Sequence, residues 1–429
     1  MFGATPALSA IRQAAHSRLV VPWAVLGAVL ARVVAETPPH VVLPPIVGSD
    51  ASLNLAVALV AASGGGKSGA TACADDLLHV TPYRLADVIG PGSGEGVMMA
   101  FLEWDADEKR NRLKSHAHAL MHADEIGQIG AVQGRASQSS LGSILRSMLT
   151  GDRVGTTAAD TTRKRQLPAH GYRLAVVAGV QPALSDVLLA DADAGTPQRW
   201  LWLPADDPDW QPPEETWPER LDWRLPALDR GRDTSTGRVR LDVCPEAVQT
   251  VRDTRHATIR GDADHLGGHR LLTRLKVGAA LALLHGELEV SPQWWALAGL
   301  VMHRSDLTRA RCQTELAAKV LDESRAAGRR DHAREVGHRE ARDADATMHA
   351  RAIWRGTVGH RGTLKGEPHP NAKHGQGEGC TRRCIAWALR NHPGADRDAA
   401  IETALGLGWL EEREERFWAG PSQPAGEGQ

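Results

Sequence analysis

Residues 53–60 read LNLAVALV, an apolar run of strand length with no polar face, and similar runs follow at 97–104 (VMMAFLEW), 117–123 (AHALMHA) and 173–180 (RLAVVAGV). Strands without a polar face predict burial on both sides, as in a parallel sheet covered by helices. Helical patterns lie between them, notably at 137–149, so the expected class is α/β with a parallel sheet. Ahead of this core, residues 6–35 read as helix and 41–43 as a short strand closed by Pro44 and Pro45. The apolar stretch at 19–34 follows Arg12 and Arg18 as a signal peptide would, yet Pro22 interrupts it and Arg32 closes it. It falls short of the roughly 18 uninterrupted apolar residues of a spanning helix, so a buried amphipathic helix is expected.

The texture then divides the chain into an N-terminal helical segment (1–45), an α/β core (46–204), a Pro/Trp-rich connector (205–240), a helical domain (241–345), a small module (346–420) and a Gly/Pro/Ser-rich tail (421–429) expected to be disordered. In the connector Trp210, Trp217 and Trp223 are either base-stacking groups or, the commoner case, surface tryptophans pinned by prolines. The helical domain contains LLTRLKVGAALALLHG and a helix starting at Pro292, then a charge-rich helical stretch at 306–351. The small module predicts helices at 348–358, 381–391 and 397–405 followed by a two-stranded wing, the plan of a winged helix.

Chemistry concentrates after the first apolar run. Residues 61–68 read AASGGGKS, the Walker A pattern with Ala61 in place of its first glycine. Gly64, Gly65 and Gly66 let successive backbone N–H groups turn toward phosphate oxygens, and the helix that follows adds its positive end. Ala62, Ser63, Gly64, Gly65, Gly66, Lys67, Ser68 and Gly69 form the expected nucleotide cradle, with Lys67 on the β- and γ-phosphates of ATP and Ser68 on Mg²⁺. An apolar strand ending in Asp124 and Glu125 supplies the second acidic site: Asp124 for the metal, Glu125 to polarise the attacking water. Glu95, in the Gly-rich turn GSGEG, competes for the base role. Glu125 is preferred and both stay open.

Gln181, after the strand at 173–180, is either a γ-phosphate sensor or a turn residue before Pro182. Arg199 leads a further apolar strand, RWLWLP, where it serves either as a cation reaching a neighbouring subunit's site or as a surface arginine. Arg274 and Lys276 are weaker candidates for a helical-domain cation on ATP, since long cationic side chains on amphipathic helices are usually solvated.

Charge and cysteine content change this picture little. In 429 residues, 50 Lys+Arg face 52 Asp+Glu, which excludes a uniformly basic coat without excluding a local basic groove. Five scattered cysteines suit reduced thiols in the cytoplasm. His369, His374, Cys380 and Cys384 cluster in sequence, but C-x₃-C without a second spaced pair is a poor zinc signature.

Taken in order, SLNLAVALVAASGGGKS, GSGEG, ADEIGQIGAVQGRASQSSLGSILRSMLTG, LPAHGYRLAVVAGVQP, DADAGTPQRWLWLPA and RLKVGAALALLHG resemble a family of replication ATPases encoded on actinobacterial phages, prophages and integrative plasmids, helicase-like and often associated with primase-polymerases. The resemblance covers roughly residues 6–420 and is looser in the tail. It implies a P-loop core of the RecA/AAA+ kind, a helical domain and a winged helix. It further implies an ATP-dependent DNA helicase or translocase, with ATP and Mg²⁺ as cofactors and DNA as partner. The expected form is a cytoplasmic homo-oligomer such as a hexamer, working beside a primase-polymerase or other replication proteins and away from membranes. Arg135 and Arg146 are its candidate DNA contacts. Two other classes stand beside it: an ATP-controlled switch or loader that assembles on a partner protein, and an ATP-binding DNA regulator. The acidic third tail helix, DRDAAIETALGLG, argues against the regulator.

Overall fold

A computed structural model of the chain describes residues 1–81, 86–129, 141–156, 165–193, 195–228, 233, 235–262, 267–358 and 380–426. Five parallel strands form its central sheet: β1 (Leu55–Val60), β2 (Asp87–Ile89), β3 (His118–Ala123), β4 (Arg173–Val180) and β5 (Trp200–Pro204), in the order β5-β1-β4-β3-β2. The apolar runs are continuous because alternate residues feed two cores. In β1, Leu55, Val57 and Leu59 enter one, while Ala56, Ala58 and Val60 enter the other.

Helices α1 (Pro6–Ser17), α2 (Pro22–Glu36) and α3 (Lys67–Leu77) belong to the first core, and α4 (Gly94–Met99) and α5 (Leu141–Thr150) to the second. α2 is buried along its length and lies so close to the sheet that a Cβ on Gly27 would sit 2.7 Å from Leu203 Cδ1 and 2.9 Å from Val57 Cγ1. The single helix expected over 6–35 is therefore two, since Pro22 suits the first turn of a new helix and not the interior of an old one. Among the described residues no helix is long and apolar enough to cross a membrane.

Two further expectations are corrected. Residues 97–104 are not one strand: Ser93 caps α4 by accepting the Gly96 N–H, and only Leu102–Asp105 is extended, in a hairpin with Arg110–Leu113. Trp223 of the connector, expected as a base-stacking or a surface tryptophan, is neither, since it is buried. Leu221–Arg224 pairs in parallel with Leu78–Thr81, Val239–Arg240 pairs with the strand Val41–Leu43, and buried Trp223 donates its indole N–H to Leu283 O at 2.8 Å.

Helices α6 (Pro245–Arg260), α7 (Gly267–Leu284) and α8 (Pro292–Val358) complete the larger of two compact units, Met1–Val320. The other, Leu321–Gln429, takes in the end of α8, α9 (Arg382–Ala388), α10 (Arg397–Gly406) and a hairpin of Leu410–Arg413 with Arg416–Ala419. Its core includes Ile353, Trp354, Cys384, Ile385, Ile401 and Phe417. Cys380 adds a bridge to Phe417.

At the amino end of the sheet, buried Arg173 donates to Thr37 O, Pro38 O, Val41 O, Ser52 Oγ and Asn54 Oδ1, at 2.7–3.2 Å. Lys276, also buried, donates to Asn54 O at 2.8 Å and Leu149 O at 2.6 Å. Desolvation, with Arg173 and Arg199 adding like charge and Asp152 opposing them, pushes the Lys276 ammonium down to about 7 from an ordinary 10.5. A neutral amine still has two N–H groups for its two carbonyls.

Unfolded lysine keeps its proton throughout that interval, so the unfolded state binds more protons there and this group makes stability rise with pH. Between about pH 7 and 8, below the ordinary thiol pKa, denaturant-derived stability should climb less steeply in Lys276→Met than in the wild type. Equal slopes would exclude a neutral Lys276.

Candidate functional site

The cleft is built where β1 runs out. Ala61 N–H donates to Val180 O at 3.1 Å and Val60 O accepts from Ala205 N–H at 2.8 Å, so the ends of β4 and β5 flank the turn. Each glycine in that turn has its own cause. Gly64 (φ +75) and Gly66 (φ +82) are left-handed, and a Cβ on Gly65 would meet Ala61 Cβ at 2.6 Å. The space an alanine needs at position 61 thus exists because position 65 has no side chain. α3 starts at Lys67, so the first N–H groups of that helix lack intrahelical partners and face the turn.

Ser63 to Gly69, with Asp124 and Glu125, line a cleft of about 340 Å³, and Ala62 lies in the turn beside it. Lys67 Nζ donates to Ala61 O at 2.9 Å and Ala62 O at 2.6 Å, folded back on the turn's own carbonyls. Partial burial lowers its pKa, while the carboxylates of Glu125 and Asp206 pull it back up. Ser68, Asp124 and Glu125 are exposed, and Gln181 Nε2 donates to Glu125 Oε1 at 3.3 Å. The oxygen donors suit a hard cation such as Mg²⁺, and the N–H groups and ammonium suit phosphate.

The other candidates lie elsewhere. Glu95 is in the first turn of α4 rather than in a Gly-rich turn at a strand end; it pairs with Arg165 at 2.5 Å and does not line the cleft. Arg199 precedes β5, whose Trp200 pairs with Ala56, so it sits at the amino end of the sheet, about 15 Å from the turn by strand length. It is half-buried beside Arg146, in a cavity of about 470 Å³, and both desolvation and Arg146 lower its pKa. Arg146 pairs with Asp191, while Arg135, His369 and His374 lie outside the described residues.

Neither helical-domain cation reaches the cleft. Arg274 stacks 3.5 Å over Trp295 and donates to its carbonyl, and Lys276 is the buried group at the far end. Among the described residues no group of three or more His, Cys, Asp or Glu is arranged for a metal.

Three features escaped the sequence reading. Gly179 allows β4 to touch β3 and the lysine: a Cβ there would lie 2.1 Å from Asp124 O and 3.3 Å from Lys67 Cε. Asp206, just past β5, holds Arg311 of α8 at 2.7 Å while acting on Lys67. Its signal is the one that exposed Gln181, a polar residue just beyond a buried parallel strand. Third, Val20 packs over the turn, 3.3 Å from the Cβ position of Gly69.

No protein-family model matches the chain, and no curated protein matches it.

Gly179→Ala should cost about 1–3 kcal/mol of stability through overpacking and should displace the Asp124 backbone. A variant with unchanged denaturation midpoint and unchanged nucleotide binding would show that the strands part freely at this point.

Proposed function

We propose that this chain is a P-loop ATPase of the RecA/AAA+ kind and that ATP hydrolysis drives a DNA helicase or translocase. One observation carries the ATPase reading: a glycine-turn cradle and the Asp124-Glu125 pair converge on a single cleft, though 55 residues of sequence separate Gly69 from Asp124. The N–H groups of residues 64–69 and the Lys67 ammonium hold the triphosphate, and Ser68 and Asp124 hold Mg²⁺, which neutralises charge on the phosphates when bound. Glu125, oriented by Gln181, takes the proton of the water that attacks the γ-phosphorus as the bond to the β-phosphate oxygen breaks. Glu95, engaged with Arg165, is the less available candidate for that role.

The DNA-directed part of the reading rests on the resemblance in sequence. The helices and hairpin of the smaller unit suit a winged helix, and its α10 exposes Asp398 and Glu402 beside Arg397, a face better suited to docking protein than DNA. This favours, as second reading, a loader that assembles on a partner. Arg199 acts across a subunit boundary in an oligomer, since it lies too far from its own subunit's cleft to serve it.

Lys67→Ala should abolish ATP hydrolysis in a folded protein, and Glu125→Gln should retain ATP binding while slowing turnover by about 10²–10⁴-fold. The pattern appearing in Glu95→Gln instead would transfer the base role, and full activity in Lys67→Ala would end the ATPase reading. Single-stranded DNA should stimulate the wild-type rate; its absence of effect selects the loader. Mixing Arg199→Ala with Lys67→Ala subunits should restore part of the activity in a concentration-dependent way, and a monomer by light scattering with ATP and DNA present would refute the shared site.

A further inference from the structure

α1 ends in a Schellman turn. Leu19 N–H donates to His16 O at 3.1 Å and Val20 N–H to Ala15 O at 2.9 Å, which places residue 19 at the left-handed position that glycine normally fills. It is a leucine instead, at φ +53, and the residue is 77% exposed. A left-handed backbone and an apolar side chain in water are both unfavourable for leucine. The turn asks for the left-handed backbone but not for a leucine or for its exposure, and an outlier of this kind points to a task outside the fold.

Its location suggests which one. Val20, the next residue, is 8% exposed, and its Cγ1 lies 3.3 Å from the Cβ position of Gly69 and 3.9 Å from that of Gly66. The Leu19-Val20 corner therefore borders the phosphate cradle at the start of α3. In that cradle Lys67 takes the terminal phosphates, so the phosphate nearest the ribose lies toward Ser68 and Gly69, and the nucleoside leaves past Gly69. What it meets there is apolar surface. Just before Leu19, the Arg18 guanidinium lies 4.4 Å over the Trp217 ring and 3.3 Å from Asp76 of α3.

We infer that the Leu19-Val20 corner is the base-binding subsite, with the nucleobase of the bound triphosphate lying against the Leu19 side chain. This rests on the phosphate-cradle reading above. Leu19 is exposed because the base covers it, and the left-handed backbone aims the side chain outward.

Leu19→Gly separates the base contact from the fold, because glycine takes the left-handed conformation without strain. Its melting temperature should equal or exceed that of the wild type. Calorimetric titration with Mg²⁺ present should show ATP bound about tenfold more weakly by Leu19→Gly, the loss of part of one leucine's burial. Inorganic tripolyphosphate, which has no base, should bind both proteins equally. Leu19→Asn, which also tolerates the left-handed region, should behave in the same way. Unchanged ATP affinity in both variants overturns the inference, as does a loss shared by tripolyphosphate, which would make Leu19 a support for the cradle. Tripolyphosphate binding the wild type as tightly as ATP also removes the base subsite but leaves the cradle standing. A wild type that binds neither ligand would bring down the cradle reading itself.

Discussion

The structure depends on one guanidinium. Arg173 begins β4 inside the protein, and all five of its N–H groups end on uncharged oxygens contributed by residues 37–54. Burying a charge this way is tolerable only when every donor is satisfied. The chain meets that demand by wrapping the segment between α2 and β1 around it. Asn54 joins both sides: its Oδ1 accepts from Arg173 and from Leu174 N–H, its Nδ2 donates to Met148 O, and its carbonyl accepts from Lys276. β1 and β4 are thereby held in register at their starts, and six residues later that register decides where the cradle lies relative to Gly179 and Gln181.

At the carboxyl end the same strands present a different chemistry. Lys67 lies between Glu125 and Asp206, and its hydrogen-bond acceptors among the described residues are backbone carbonyls of the turn. A ligand carrying several negative charges competes with weak partners for a strong cation. Asp206 also holds Arg311, and Lys319 donates to Ala183 O, so α8 is tied to the segments that follow both β5 and β4. Events at the cleft therefore have a direct mechanical neighbour in that helix.

How much of this could be read from the sequence depended on how local each cause was. β1, β3 and β4 were legible because burial on both faces erases the polar alternation, and the AASGGGKS turn because its glycines answer to neighbours within four residues. β2 was not, since two of its three residues are exposed and leave no pattern. The run at 97–104 misled because a short apolar stretch fits strand or helix equally well, and the cap at Ser93 settles it. Trp223 and Asp206 answer to partners 60 and 105 residues away, at Leu283 and Arg311, which no window along the chain connects. Leu19 was illegible in principle, because the residue type argues against the conformation it adopts.

All five cysteines are buried, and desolvation pushes the thiols of Cys73, Cys312 and Cys380 up to between about 11 and about 12. A thiol so placed is protonated and sterically shielded at neutral pH, and so slow toward electrophiles. The folded chain is consequently silent to maleimides as it stands. A single cysteine introduced at an exposed position such as Trp104 would take a fluorophore alone, with no native residue to be removed first.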